Sequence, residues 1–81
     1  MKAIPRKHVP ALLRLLDAKA KAHPDVRMGS SIWRNGRGDY GRTEEYFLRG
    51  KPALSISIDG ARRDVRFYAD IEVVNSIGAE P

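Results

Sequence analysis

The chain has 81 residues, 42% hydrophobic and 31% charged, with a net charge of +5 and no cysteine. That composition specifies one small folded domain rather than a disordered tract, and it excludes disulfides, thiolate catalysis and thiolate zinc sites. No run of about 18 apolar residues is present and the basic start lacks the apolar core of a secretory signal, so neither a membrane span nor export is expected, and the expected location is the cytoplasm.

Val9, Leu12, Leu13, Leu16 and Ala20 recur at the spacing of one helical face and predict an amphipathic helix over residues 10–23. Pro10 suits the first position of a helix, and Pro24 ends it because the residue before a proline avoids helical dihedrals. Arg14, Lys19 and Lys21 fall off the apolar stripe and are expected to face water. Asp17 and Lys21 are correctly ordered for an i,i+4 pair.

Residues 28–34 read as a short strand with Ile32 and Trp33 on opposite faces. Asn35-Gly36 is a strong hairpin signal. A tight turn there, however, would place Gly38, Asp39 and Gly41 in the returning strand, where they are poor residues. The expectation is therefore a longer loop over 35–42, with the strand resuming near Thr43. Residues 43–49 also fit a short helical turn.

Gly50-Lys51-Pro52 breaks the chain. Leu54, Ile56 and Ile58 then alternate with Ser55 and Ser57, the pattern of a half-buried strand. A two-residue loop after Asp59 would set Ile56 opposite Arg63. A four-residue loop over 59–62 sets Ile56 opposite Val65 and Leu54 opposite Phe67, and this pairing of apolar with apolar is preferred. Val65, Phe67, Ala69, Ile71 and Val73 alternate with Arg66, Tyr68, Asp70 and Glu72. The period of two predicts a long strand over about 63–74, followed by a loose end.

The predicted fold class is α+β, with one N-terminal amphipathic helix packed on a three- to four-stranded antiparallel meander sheet. Residues 1–81 form the single domain, with loose ends at about 1–5 and 76–81. The expected core is Leu12, Leu13, Leu16, Leu54, Ile56, Val65, Phe67 and Ile71. The wet face of the sheet would carry Ser55, Ser57, Arg66, Tyr68, Asp70 and Glu72.

Charge is uneven along the chain. Residues 1–42 hold ten Lys and Arg against Asp17, Asp25 and Asp39, and residues 43–81 hold five against seven Asp and Glu. Such asymmetry points to an anionic partner, with nucleic acid the commonest. The leading expectation is a non-enzymatic binding protein that contacts nucleic acid, or an acidic or nucleoprotein complex that handles it. Arg34, Arg37, Arg42, Arg14, Lys19 and Lys21 would make the contacts. The segment from Trp33 to Arg42 combines arginines, aromatics and glycines, which suit phosphate pairing, stacking and close backbone approach.

A second reading is a protein–protein modulator, an inhibitor or adaptor of a larger complex of the kind that phages carry. Trp33, Tyr40, Tyr46 and Tyr68 would anchor it, with arginines such as Arg66 at the rim. A free edge strand could also pair two copies as a homodimer. A third reading is a small metal-independent ribonuclease toxin using His23, Arg37 and Tyr40. His8 and His23 stand about 22 Å apart along a helix and cannot share a metal within one chain. No metal-ligand spacing, dinucleotide fingerprint or phosphate loop is present, so no cofactor and no metal are expected. Arg62-Arg63 with Arg66 forms a second basic group, partly neutralised by Asp64, Asp70 and Glu72.

Overall fold

Four strands in succession, each returning on the last, make the body of the sheet. In the computed structural model, which describes residues 1–60 and 64–81, they are β2 (Val26–Arg34), β3 (Tyr40–Leu48), β4 (Lys51–Asp59) and β5 (Asp64–Ala69). A two-residue strand β1 (Lys2–Ala3) pairs with β5, so the sheet is five-stranded and antiparallel, in the order β1-β5-β4-β3-β2. A 3-10 turn (Arg6–His8) leads into helix α1 (Val9–Ala22), and a second helix α2 (Ile71–Ala79) follows β5. The α+β class and the N-terminal helix on an antiparallel sheet are as expected. The sheet has one strand more than the upper expectation, because the first residues are tied to β5 rather than loose.

Tight turns fix the register. Arg49 and Gly50 both have positive φ, 49° and 81°, and close the β3–β4 hairpin in the manner of a two-residue type I′ turn. The β2–β3 turn is also short. Gly38 N–H donates to the Asn35 carbonyl, Asn35 N–H donates to the Asp39 carbonyl, and Gly38 sits at φ 84°. This is the three-residue hairpin in which a left-handed residue follows a type I turn. The Asn35 side-chain oxygen accepts from the N–H groups of Arg37 and Asp39, which holds the turn.

The expected loop over 35–42 is therefore corrected, since β3 resumes at Tyr40 and includes Gly41. Residues 43–48 are strand and not a helical turn. Gly41 is tolerated because the Trp33 indole lies over it from the paired position on β2.

The β4–β5 pairing does set apolar against apolar, but two residues out from the expected register. Ile56 faces Phe67, Ile58 faces Val65 and Leu54 faces Ala69. A bulge in β4 interrupts the pairing with β3, since Tyr46 faces Leu54 while Phe47 faces Pro52, leaving Ala53 extra.

The long strand expected over 63–74 is the main correction. It stops at Ala69, and Asp70 caps a helix instead, its carboxylate accepting from the N–H groups of Glu72 and Val73. The helical spacing of Val73, Val74 and Ile77 turns one face of α2 into the core, and Ser76 to Ala79 belong to the helix rather than to a loose end. Ile71, expected in the core, stands 52% exposed at the start of α2. Asp70 and Glu72 leave the wet face of the sheet for the same reason.

Both helices cover one face of the sheet. Leu16 from α1 and Val74 and Ile77 from α2 close over Val26, Tyr46, Leu48, Leu54, Ile56 and Ala69. Leu12, Leu13, Val65 and Phe67 are half-buried around this cluster, as the expected core required. The opposite face carries Ser55, Ser57, Arg66, Tyr68 and Trp33, and among the described residues no helix lies on it. No helix among the described residues is long and apolar enough to cross a membrane.

Candidate nucleic-acid interface

The positively charged side chains divide between two places. Along α1 the exposed stripe reads Ala11, Arg14, Ala18, Lys21, at the three–four spacing of one helical face. Lys7 and Arg6, exposed in the 3-10 turn just before the helix, extend the charge at its N-terminal end. The small alanines between the cations leave a low surface on which the charged heads stand free. Arg14 and Lys21 are about 10 Å apart by helical rise.

The single acid of this helix, Asp17, is exposed and has one carboxylate oxygen taken from below. The Tyr46 hydroxyl, reaching up from the sheet, donates a hydrogen bond to the Asp17 carboxylate. Tyr46 is only 4% exposed, and burial first, with the Asp17 hydrogen bond and charge behind it, pushes its phenol up to about 12. Its expected role at a protein interface is corrected accordingly, because the ring is a core residue beneath α1.

Lys19 is committed in a similar way. Its ammonium donates to the Glu80 main-chain carbonyl just past the end of α2. It thereby neutralises the partial negative charge at a helix C-terminus, and it pins α2 to α1. Of the three helix cations predicted to bind, Arg14 and Lys21 therefore stay on the open stripe and Lys19 does not.

The second place is the tip of the β2–β3 hairpin. Arg34, Asn35, Gly36, Gly38 and Tyr40 surround a shallow hollow there. Arg34 and Arg37 are exposed, while Arg42 forms an ion pair with Glu44 at 3.0 Å. Tyr40 is exposed yet lies across Gly60, the turn residue just past β4. The six cations predicted as one binding set are thus two groups and two committed residues.

On the helix-free face Trp33, Tyr68 and Arg66 meet around a hollow also lined by Ser57, Asp59 and Asp64. Arg66 is held charged by Tyr68 and by Asp64, whose carboxylate is 3.3 Å away. Arg62 and Arg63, the rest of that predicted basic group, lie outside the described residues.

The residues expected for a ribonuclease do not converge within one chain. His23 precedes β2 and Arg37 follows it, and nine extended residues separate them by about 30 Å. Among the described residues no group of three His, Asp or Glu side chains could hold a metal ion. Arg6 and Lys7 lie outside the predicted cation set, although Lys7 stands seven residues before Arg14 and so falls on the same helical face by spacing.

The fold and surface together define a small α+β protein with a four-stranded meander extended at one edge by β1, helices on one face and a cationic outer helix. No family model, curated protein or solved structure matches the chain.

Proposed function

We propose that the protein binds the phosphate backbone of nucleic acid through the outer face of α1 and the turn before it, without catalysing a reaction. The observation that carries this reading is the cation stripe Lys7, Arg14 and Lys21, seven residues apart and interleaved with alanine, whose one neighbouring carboxylate is bonded to Tyr46. Phosphate pairing of this kind dominates affinity, carries little sequence preference and is strongly salt-dependent. Arg34 and Arg37 at the hairpin tip add a second, weaker contact.

The test is a salt titration of binding to duplex DNA, single-stranded DNA and RNA. For duplex DNA the triple variant Lys7→Ala/Arg14→Ala/Lys21→Ala should flatten the log–log salt slope by about 3, roughly 0.9 for each lost phosphate contact. Arg34→Ala/Arg37→Ala should change it less. An unchanged slope in a triple variant that keeps the wild-type circular dichroism would overturn the assignment.

A protein-modulator reading has one observation in its favour, the meeting of Trp33, Tyr68 and Arg66 on the open sheet face. Aromatic and arginine side chains in one hollow suit an interface anchor. Tyr68→Ala separates the two readings: it should abolish a protein complex and leave nucleic-acid retention intact.

A further inference from the structure

The two edges of the sheet are finished differently. On one side β5 is partly covered by β1, and Ile4 N–H also donates to the Phe67 carbonyl. The rest of that edge is short and carries Asp64 and Arg66. On the other side β2 offers nine residues, Val-Arg-Met-Gly-Ser-Ser-Ile-Trp-Arg, with no proline, lysine or acid among them. Proteins that stay monomeric block such an edge with those devices. Instead β2 exposes Met28 at 61% and Ile32 at 77%, the two most exposed large apolar side chains among the described residues.

Main-chain geometry shows which groups of β2 face outward. Asn35 N–H donates to the Asp39 carbonyl and Arg49 N–H donates to the Asp25 carbonyl. Both are odd-numbered partners on the β2 side, and opposite residues alternate between bonded and non-bonded pairs along an antiparallel ladder. The even residues Met28, Ser30, Ile32 and Arg34 therefore turn their N–H and C=O away from β3, toward solvent. Val26 is even too, but its N–H is taken by the His23 carbonyl.

We infer that the partner of this edge is a second copy of β2, paired antiparallel about a two-fold axis through Ser30. In that register Met28 faces Ile32 of the other copy, and Ile32 faces Met28, so both exposed apolar side chains gain apolar neighbours. Met28, Ser30 and Ile32 each exchange both main-chain hydrogen bonds with the opposite residue. On the same face Arg34 faces Val26, and on the other Arg27 faces Trp33, an arginine over an aromatic ring, so no like charges oppose each other.

The neighbouring registers do worse. Centring on Ser31 sets Met28 against Arg34, and centring on Gly29 sets Met28 against Ser30. The dyad stands perpendicular to the sheet, so the pair forms one continuous ten-stranded sheet with both α1 helices on the same face. The dimer does not depend on nucleic-acid binding, but it sets two cation stripes side by side.

Sedimentation velocity over a dilution series from millimolar to micromolar chain tests the assembly. The expected result is a reversible species of twice the 9.1 kDa chain mass. Ser30→Pro deletes an N–H that bonds nothing within the monomer, and Ile32→Lys charges the apolar contact. Each should raise the dissociation constant by roughly tenfold or more while far-ultraviolet circular dichroism stays that of wild type.

The chain has no cysteine, so a single introduced one reads the register directly. Ser30→Cys should cross-link to its symmetry mate on mild oxidation, because bonded antiparallel partners sit about 5.5 Å apart at Cα, within disulfide range. Ala11→Cys on α1 should not. A monomer throughout the series, or cross-linking of Ala11→Cys as fast as Ser30→Cys, would overturn the assignment. So would an edge that takes up only an extended peptide of another sequence.

Discussion

Burial and the Asp17 carboxylate together hold the Tyr46 phenol in its neutral form, up to about pH 12 against an ordinary value of 10. In the unfolded chain the same group ionises near 10. Between the two values the unfolded state has lost a proton that the folded state keeps, so stability falls as pH rises through that window and is complete below it. Two units correspond to about 2–3 kcal/mol. Tyr46→Phe removes this titration, so the advantage of wild type over the variant should shrink from pH 10 to 12 and then change sign in urea unfolding measured across that range. At neutral pH the variant should lose about 1 kcal/mol, the net worth of the hydrogen bond, because Asp17 is exposed and regains water.

Gly41 makes a sharper prediction at the same scale. A Cβ there would lie 2.3 Å from the Ile58 carbonyl oxygen and 2.4 Å from Cζ2 of Trp33. Rotating the indole could relieve one clash, but the main-chain oxygen of the neighbouring strand cannot move aside. Gly41→Ala should cost about 2–3 kcal/mol, read as a lowered midpoint in chemical denaturation. The contrast is Gly36, whose added Cβ meets nothing, so Gly36→Ala should leave the midpoint nearly unchanged.

At the scale of elements, α2 depends on its first residue. The helix has nine residues, too few to stand without packing, and its orphan N–H groups at Glu72 and Val73 are met by Asp70. Asp70→Ala should therefore cost about 1 kcal/mol and speed amide exchange through 71–79 more than through α1. Asp70→Asn, which keeps the acceptor, should recover most of the loss. The α1 helix has no such side-chain cap and draws its stability from its apolar stripe and Leu16 in the core. Lys19 joins the two helices at the Glu80 carbonyl, with Arg49 also reaching the Glu80 carboxylate at 2.9 Å. The Arg49 pair is at the surface and is worth little, whereas the Lys19 bond is partly buried.

At the scale of the whole molecule, the sheet is longer than its helical cover. The chain spans 45 Å in its longest dimension, and the hairpin tip with Arg34 and Arg37 lies at the far end of β2 from the junction with α1. On the proposed reading, the cations on α1 and those at the tip would contact different parts of a long polyanion, or different strands of it. If the two β2 edges pair, nucleic-acid affinity should rise with protein concentration in step with dimer formation, and Ser30→Pro should remove that rise while keeping the salt slope per chain.

Much of this architecture was legible in the residues. Helix α1, the strand over Leu54, Ile56 and Ile58, the opposed faces of Ile32 and Trp33 and the cationic first half all follow from periodicity and composition, because each is set by residues a few positions apart. What the residues left open was decided by contacts between distant parts of the chain. Ile71 and Val73 fit a period of two as well as a helix. The helix forms because Asp70 caps it and because Val74 and Ile77 find α1 to pack against. Gly38 and Gly41 argue against a strand locally, yet a left-handed turn needs the first and the Trp33 ring needs the second. Tyr46 and Lys19 read as surface groups, and only the closeness of α1 and α2 to the sheet took one into the core and tied the other to a carbonyl. Local sequence determined which segments are helical or extended and what charge they carry. Tertiary packing decided where each segment stops and which of its polar groups remain free, because both depend on partners that only folding brings within reach.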